Sequence, residues 1–359
     1  MKNLPLLALV LREPKTVLNY TLSDWDLLIR QARRAGLLAR LGFLFKRNSV
    51  EGIPSCALKH IESSMICAEN MRTSLNWEIK CIKKALCRLD LPLIFLKGTA
   101  YIVGDNDAAL GRFFSDVDIL VPEEKLLDVE RALIYAGWKF DDIDAYDQRY
   151  YRKWMHEIPP MRHVQRQTSI DVHHNILPKT CFFCPDVKKL LECAIKIPEQ
   201  GSWILATEDR VIHSASHLFH EGELEHGFRD LSDLDLLIKE FSIKENFWDN
   251  LLFRAVELNQ QIPLYYALRY TSIILKTPIP KHVLDRSVQW RPNGLRQKIM
   301  DFLFLHALMP DHPSCSDRWT GLARWLLYIR SHWLRMPVHL LIPHLLRKSW
   351  MRLTGKDNH

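Results

Sequence analysis

The sequence predicts an α+β fold, with a small mixed sheet and its flanking helices standing between N- and C-terminal helical regions. Three observations carry this. Apolar residues recur at helical spacing over residues 22–90, short apolar runs bounded by turn residues replace them over 91–176, and helical spacing returns beyond Pro178. The shifts divide the chain into a helical region over 1–90, a mixed core over 91–178 and a helical domain with a basic tail over 179–359. With 359 residues, 47% hydrophobic and 25% charged, the chain is too apolar for disorder and too long for one comfortable core.

The first region reads as helices. Trp25, Leu28, Ile29, Ala32 and Leu38 form one stripe, and Ile61, Met65, Ala68, Met71 and Leu75 another that runs on through Ile79, Ile82 and Leu86. Ser23 followed by Asp26 resembles a capping box. Leu91-Pro-Leu-Ile-Phe-Leu96 is a short buried strand ending at Lys97-Gly98-Thr99, and residues 117–121 form another, stopped by Pro122. Pro122 with Glu123 and Glu124 starts a helix whose stripe is Leu126, Val129, Leu133 and Ala136, ended by Gly137. Residues 138–140 make a further strand, and extended pieces over 155–161 and 169–176 form a hairpin across the polar stretch 163–168. Helices follow over 211–219, 231–238, 247–258 and 264–275.

No apolar run approaches the roughly 20 residues of a membrane span. Residues 4–11 contain Pro5 and run into Arg12, Glu13 and Pro14 without a small-residue cleavage site, so a soluble cytoplasmic chain is expected. The excess of 49 basic over 42 acidic residues, a net +7, suits anionic partners without choosing among nucleotides, nucleic acid and a lipid surface. Of the eight cysteines, Cys181 and Cys184 form the close pair, and no second pair completes a zinc ribbon; buried thiols in a reducing compartment are expected.

Chemistry concentrates in Arg112-Phe-Phe-Ser-Asp116-Val-Asp118-Ile-Leu-Val121. Strand residues two apart share a face, so Asp116 and Asp118 project together while Val117 and Ile119 enter the packed side. Two adjacent carboxylates repel unless a cation neutralises them, which points to a divalent metal, with Mg²⁺ suited to oxygen ligands and substrate phosphates. The plainer alternative is a strand end whose acids meet water. Ser169-Ile-Asp171-Val-His173-His174 repeats the device: Ile170 and Val172 face the core, Asp171 and His173 the other side. A third carboxylate on a neighbouring strand would complete a two-metal cradle for phosphoryl transfer. His173 could position Asp171 or touch substrate.

Upstream, Gly98 at the exit of a buried strand lets a phosphate approach the backbone; the Thr99 hydroxyl can donate to it and Lys97 can add positive charge. The pattern matches neither the P-loop nor a G-x-G-x-x-G fingerprint.

A strand, a Gly-Thr pair, Asp-x-Asp and then a lone strand Asp resemble the nucleotidyltransferase superfamily of the DNA polymerase β type. More narrowly, Leu96-Lys97-Gly98, Arg112 with Ser115-Asp116-Val117-Asp118, and Ile170-Asp171-Val172-His173 resemble an uncharacterised bacterial nucleotidyltransferase family. The resemblance implies a polymerase β-like core and two Mg²⁺ ions, with Mn²⁺ as a substitute, held by catalytic Asp116, Asp118 and Asp171. It further implies transfer of a nucleoside monophosphate from an NTP, ATP among them, with loss of pyrophosphate. Gly98 and Thr99 would take the triphosphate-binding position, joined by Lys97, Arg112 and His173. The 17 residues between Gly98 and Asp116 exceed the usual linker, which implies an added helix or loop over 102–112.

Outside the core, His213, His217 and His220 fall at i, i+4 and i+7 of a helix, followed by Glu221, His226, Arg229 and Asp230. The H-E-x-x-H order of a zinc site is absent, and His217, Arg229 and Asp230 lining a nucleotide cleft is the alternative, with Arg229 meeting a phosphate. Residues 318–356 carry eight Arg or Lys and no Asp or Glu, interleaved with Trp319, Trp325, Trp333 and Trp350. Such a tail suits an anionic partner, RNA or a lipid surface, or else packs its aromatic face on the domain. The sequence leaves the acceptor open, as a small molecule, RNA or protein. It also admits a catalytically silent nucleotide-binding module, or a peripheral scaffold working through the tail.

Overall fold

The computed structural model describes residues 4–140, 145–220 and 222–335. It has a mixed α/β architecture built on one seven-stranded sheet. The strands are β1 (Ile94–Phe95), β2 (Asp116–Leu120), β3 (Trp138–Phe140), β4 (Met161–His163), β5 (Ser169–His173), β6 (Ile195–Ile197) and β7 (Ser202–Ile204), in the order β3-β4-β5-β2-β1-β7-β6. The β2–β5 and β1–β7 pairs are parallel and the other four antiparallel. The centre of the sheet is its most apolar part, with Ile94, Phe95, Ile119, Ile170 and Val172 fully enclosed.

Four local details differ from the sequence reading. The capping box belongs to Thr21 and Asp24, because the Leu22–Arg34 helix starts two residues earlier than Ser23 suggests. The strand expected over 155–161 is displaced to β4, and Glu157 makes only an isolated bridge to His173. The extended piece over 169–176 stops at His173. Beyond Pro178 the chain does not turn wholly helical: β6 and β7 add two strands, and β7 pairs with β1. These pieces are three residues long, too short for alternation to separate them from a helix turn.

Helices cover the sheet and build the rest of the core. The 32-residue helix Ser55–Leu86 carries buried Glu78, which Arg166 grips with bonds of 2.7 and 2.9 Å while lying over the Trp138 ring. The helices Thr207–His220 and Gly227–Phe241 pack on each other and bury Phe219, Phe228 and Leu231. The link between Gly98 and β2 begins within the helix Lys97–Val103, and over the 102–112 span expected to hold an added helix or loop it carries only the end of that helix and a short 3₁₀ turn at Asp107–Ala109. Gly111 then turns the chain at φ +64, and a Cβ there would stand 2.4 Å from the backbone nitrogen of Arg40, so the link passes tightly against the N-terminal helices. No described helix is long and apolar enough to cross a membrane.

Candidate active site

β2 and β5 run in parallel register with Asp118 opposite Asp171 and Asp116 opposite Ser169. Val117, Ile119, Ile170 and Val172 fill the packed face, so the alternation of the strands turns the acids to the other. Asp118 is 3% exposed, and its Oδ1 accepts hydrogen bonds from Lys97 Nζ at 2.8 Å and His173 Nε2 at 2.9 Å. One oxygen each of Asp118 and Asp171 and one ring nitrogen of His173 lie within 4.8 Å of one another. Asp116 is not in that group: it is half-buried, two residues nearer the start of β2, and accepts a 2.7 Å hydrogen bond from Ser115 Oγ.

Burial and charge drive the paired carboxyls apart. Burial alone would raise Asp118, yet Lys97 and His173 outweigh it and hold Asp118 below the ordinary carboxylate range. Among the described residues Asp171 has no such hydrogen bond, and burial followed by the charges of Asp118, Glu157 and Asp116 pushes it well up against the opposing charge of Lys97. Burial opposes the charge of Lys97, but Asp118, Glu157 and Asp116 together raise it. Lys97 adopts φ +46, a left-handed conformation unusual for a lysine, at the point where β1 passes into the following helix.

Lys97, Asp116 and Asp118 open into a cleft of about 120 Å³. One wall is Lys97, Gly98, Tyr101, Arg112, Asp116 and Asp118; the other is Ser214 and His217 from the Thr207–His220 helix and Arg229, Asp230 and Asp233 from the Gly227–Phe241 helix. Arg112 donates from Nε to Asp233 Oδ2 at 2.9 Å, and Arg40 pairs with Asp233 Oδ1 at 2.7 Å. The Arg112 guanidinium also lies over the Phe114 and Tyr101 rings. Asp233 thus ties the N-terminal helices, the β2 approach and the C-terminal wall together.

Residues 21–276 match the profile of a family described as uncharacterised nucleotidyltransferase. The chain belongs to this family. The match covers every strand of the sheet and both helices of the far wall. No curated protein matches the sequence.

Within this nucleotidyltransferase, Lys97, Gly98, Arg112, Asp116, Asp118 and Arg229 line the cleft, while Asp171 and His173 stand beside Asp118. Thr99 stands apart from these. It is 1% exposed, is absent from the cleft wall and has its hydroxyl enclosed without a hydrogen-bond partner, because the helix beginning at Lys97 rotates it into the core. Gly98 is the residue whose backbone reaches the cleft, and an added Cβ would stand 2.4 Å from an Arg112 guanidinium nitrogen and 2.9 Å from the Phe114 ring.

Of the three helical histidines, His217 lines the cleft. His213 is buried, and His220 donates from Nδ1 to the Ser216 carbonyl at 3.0 Å. Among the described residues, none of the three belongs to a group that could hold a metal. Arg229 donates from Nε to Asp230 Oδ1 at 3.0 Å at the cleft edge.

Sequence reasoning missed Tyr101, Ser214, Asp233 and Arg40. For Asp233 a signal existed: Asp230 and Asp233 sit at i and i+3 among apolar Phe228, Leu231 and Leu234, where a solvated helix face would not place them. In the basic tail, Arg330 turns inward, donating to the Phe219 carbonyl at 2.8 Å and lying over the Tyr266 and Phe304 rings, and Arg324 pairs with Asp311 at 2.6 Å. Arg347, Lys348 and Trp350 lie outside the described residues.

Proposed function

We propose that this protein is a divalent-metal-dependent nucleotidyltransferase with a polymerase β-like core. It would move a nucleoside monophosphate from an NTP, ATP among the candidates, to an acceptor hydroxyl and release pyrophosphate. The observation that carries the reading is the direct pairing of Asp118 with Asp171 across two parallel strands, beside a cleft lined by Lys97, Gly98 and Arg112, in a chain of nucleotidyltransferase family.

The residues fit a hard divalent cation. The oxygens of Asp118 and Asp171 approach within 4.8 Å of each other, Asp116 lies on the same face, and the site already draws the Lys97 ammonium. Asp116, Asp118 and Asp171 would hold two Mg²⁺ or Mn²⁺ ions, with His173 orienting Asp118 through its 2.9 Å hydrogen bond. Bound there, the ions would polarise the reacting phosphoryl group and offset the charge of the leaving pyrophosphate.

The chain's own groups do the rest. Gly98 lets the triphosphate approach the backbone, since a side chain there would collide with Arg112. Lys97 supplies a cation beside the carboxylates and is free to re-pair with phosphate once metal neutralises Asp118. Arg112, fixed by Asp233, and Arg229 at the opposite wall offer guanidinium groups to phosphate oxygens. A carboxylate of the group takes the proton of the acceptor hydroxyl. An NTP, a metal and a hydroxyl acceptor are all present in the cytoplasm, the compartment this reading favours.

Incubating the protein and Mg²⁺ with each NTP in turn, with host metabolite, RNA and protein fractions as acceptors, tests the proposal. Pyrophosphate release that depends on one fraction and on Asp118 is expected. The absence of pyrophosphate with every NTP and fraction overturns it.

A further inference from the structure

We propose that His156, Glu157 and His173 form a second metal site, separate from the paired aspartates and suited to a borderline divalent cation such as Zn²⁺. One ring nitrogen of each histidine and one oxygen of Glu157 lie within 4.8 Å of one another. The Nδ1 atoms of His156 and His173 are both enclosed and without a hydrogen-bond partner. Such atoms are costly to bury unless something binds them, and a cation is the ligand that two imidazole lone pairs and a carboxylate would share.

The backbone holds the three side chains together. Glu157 bridges His173, the His174 amide donates to the His156 carbonyl at 2.8 Å, and the Ile158 amide donates to the Val172 carbonyl at 3.0 Å, so residues 156–158 are fastened along β5. The two histidine rings are 5.2 Å apart, and His173 Nδ1 is 3.3 Å from Glu157 Oε2.

His173 has the orientation that a metal-binding imidazole needs. Its Nε2–H donates to Asp118, which in the neutral ring leaves the lone pair on Nδ1. The two sites therefore sit on opposite nitrogens of one ring. A nitrogen-rich set with one carboxylate favours Zn²⁺ over Mg²⁺, which prefers oxygen ligands and water. A cation there would lock His173, a positioning residue for Asp118. The inference is independent of the transferase reading, because the site binds without nucleotide.

Metal-stripped full-length protein is titrated with Zn²⁺ by calorimetry and with Co²⁺ by absorption spectroscopy, without nucleotide. Wild type and Asp171→Asn should each take up one Zn²⁺ that His156→Ala binds about 100-fold more weakly. The Co²⁺ spectrum of this site should show tetrahedral ligand-field bands and no thiolate charge transfer, which separates it from the free cysteines. Glu157→Gln, which keeps the shape of the side chain, should weaken binding about tenfold and serves if His156→Ala fails to fold by circular dichroism. Equal affinity in wild type, His156→Ala and Glu157→Gln overturns the proposal. So does binding lost in Asp171→Asn and kept in His156→Ala, which would assign the metal to the aspartates.

Discussion

Asp118 and Asp171 stand directly opposite each other on adjacent parallel strands, yet among the described residues only Asp118 is hydrogen-bonded to Lys97, at 2.8 Å, and to His173, at 2.9 Å. The two acids should therefore differ in what they do for the fold. Asp171→Asn replaces a carboxyl that burial and the neighbouring acids already disfavour in its charged form, and should leave metal-free stability unchanged or raised. Asp118→Asn keeps an acceptor oxygen but removes the charge that Lys97 and His173 share, and should cost on the order of 3–5 kcal/mol. Urea unfolding of the two variants without metal measures the difference; equal losses would contradict the assigned pairing.

Gly98 should tolerate no side chain while ligand binds. Even Gly98→Ala puts a Cβ 2.4 Å from the Arg112 guanidinium, which is tethered to Asp233 and cannot withdraw without breaking that bond. NTP affinity should fall about tenfold or more, roughly 1.4 kcal/mol, while circular dichroism stays unchanged. Fluorescence titration with a labelled NTP reads it, and unchanged affinity would move the triphosphate elsewhere.

His213 should make the protein acid-sensitive. Burial first, then Lys97, His217 and His173, hold its pKa well below the ordinary histidine value, so the folded protein keeps it neutral. The unfolded chain takes up a proton near pH 6.5 and the folded chain does not. The contribution of His213 is therefore complete above that pH and falls by up to about 1.4 kcal/mol per pH unit below it. His213→Gln should flatten the dependence between pH 7 and 5, as followed by thermal unfolding across that range.

Arg330 should behave as a core residue despite its place in a basic segment. Arg330→Gln loses the bond to the Phe219 carbonyl and the two ring contacts, and should cost about 1–2 kcal/mol. Arg318→Gln, whose guanidinium lies over the partly exposed Trp319, should be nearly neutral. Denaturant midpoints of the two variants make the comparison.

The sequence exposed the chemistry better than the assembly around it. Period-two alternation was enough to put Asp116 with Asp118 and Asp171 with His173, because each acid interrupts an apolar strand. Alternation carries no register, so it could not say that Asp118 rather than Asp116 would meet Asp171. Thr99 lies away from the cleft because the chain turns at once from β1 into a helix and swings the hydroxyl inward, a rotation that the short motif does not encode. The Arg40–Asp233–Arg112 network joins residues far apart in sequence, and charged residues at such distances leave no periodic trace. The strands β6 and β7 were hidden by their length, β7 depending on β1 for a partner and β6 on β7.

The central claim is that the α-phosphorus is the atom transferred. The most direct measurement uses an NTP radiolabelled at either the α- or the γ-phosphorus, with Mg²⁺, the responsive acceptor fraction, and wild type beside Asp118→Asn. The α-label should appear on the acceptor with wild type only, while the γ-label should leave entirely as pyrophosphate. A γ-label on the acceptor, or an α-label carried equally by Asp118→Asn, would contradict the account.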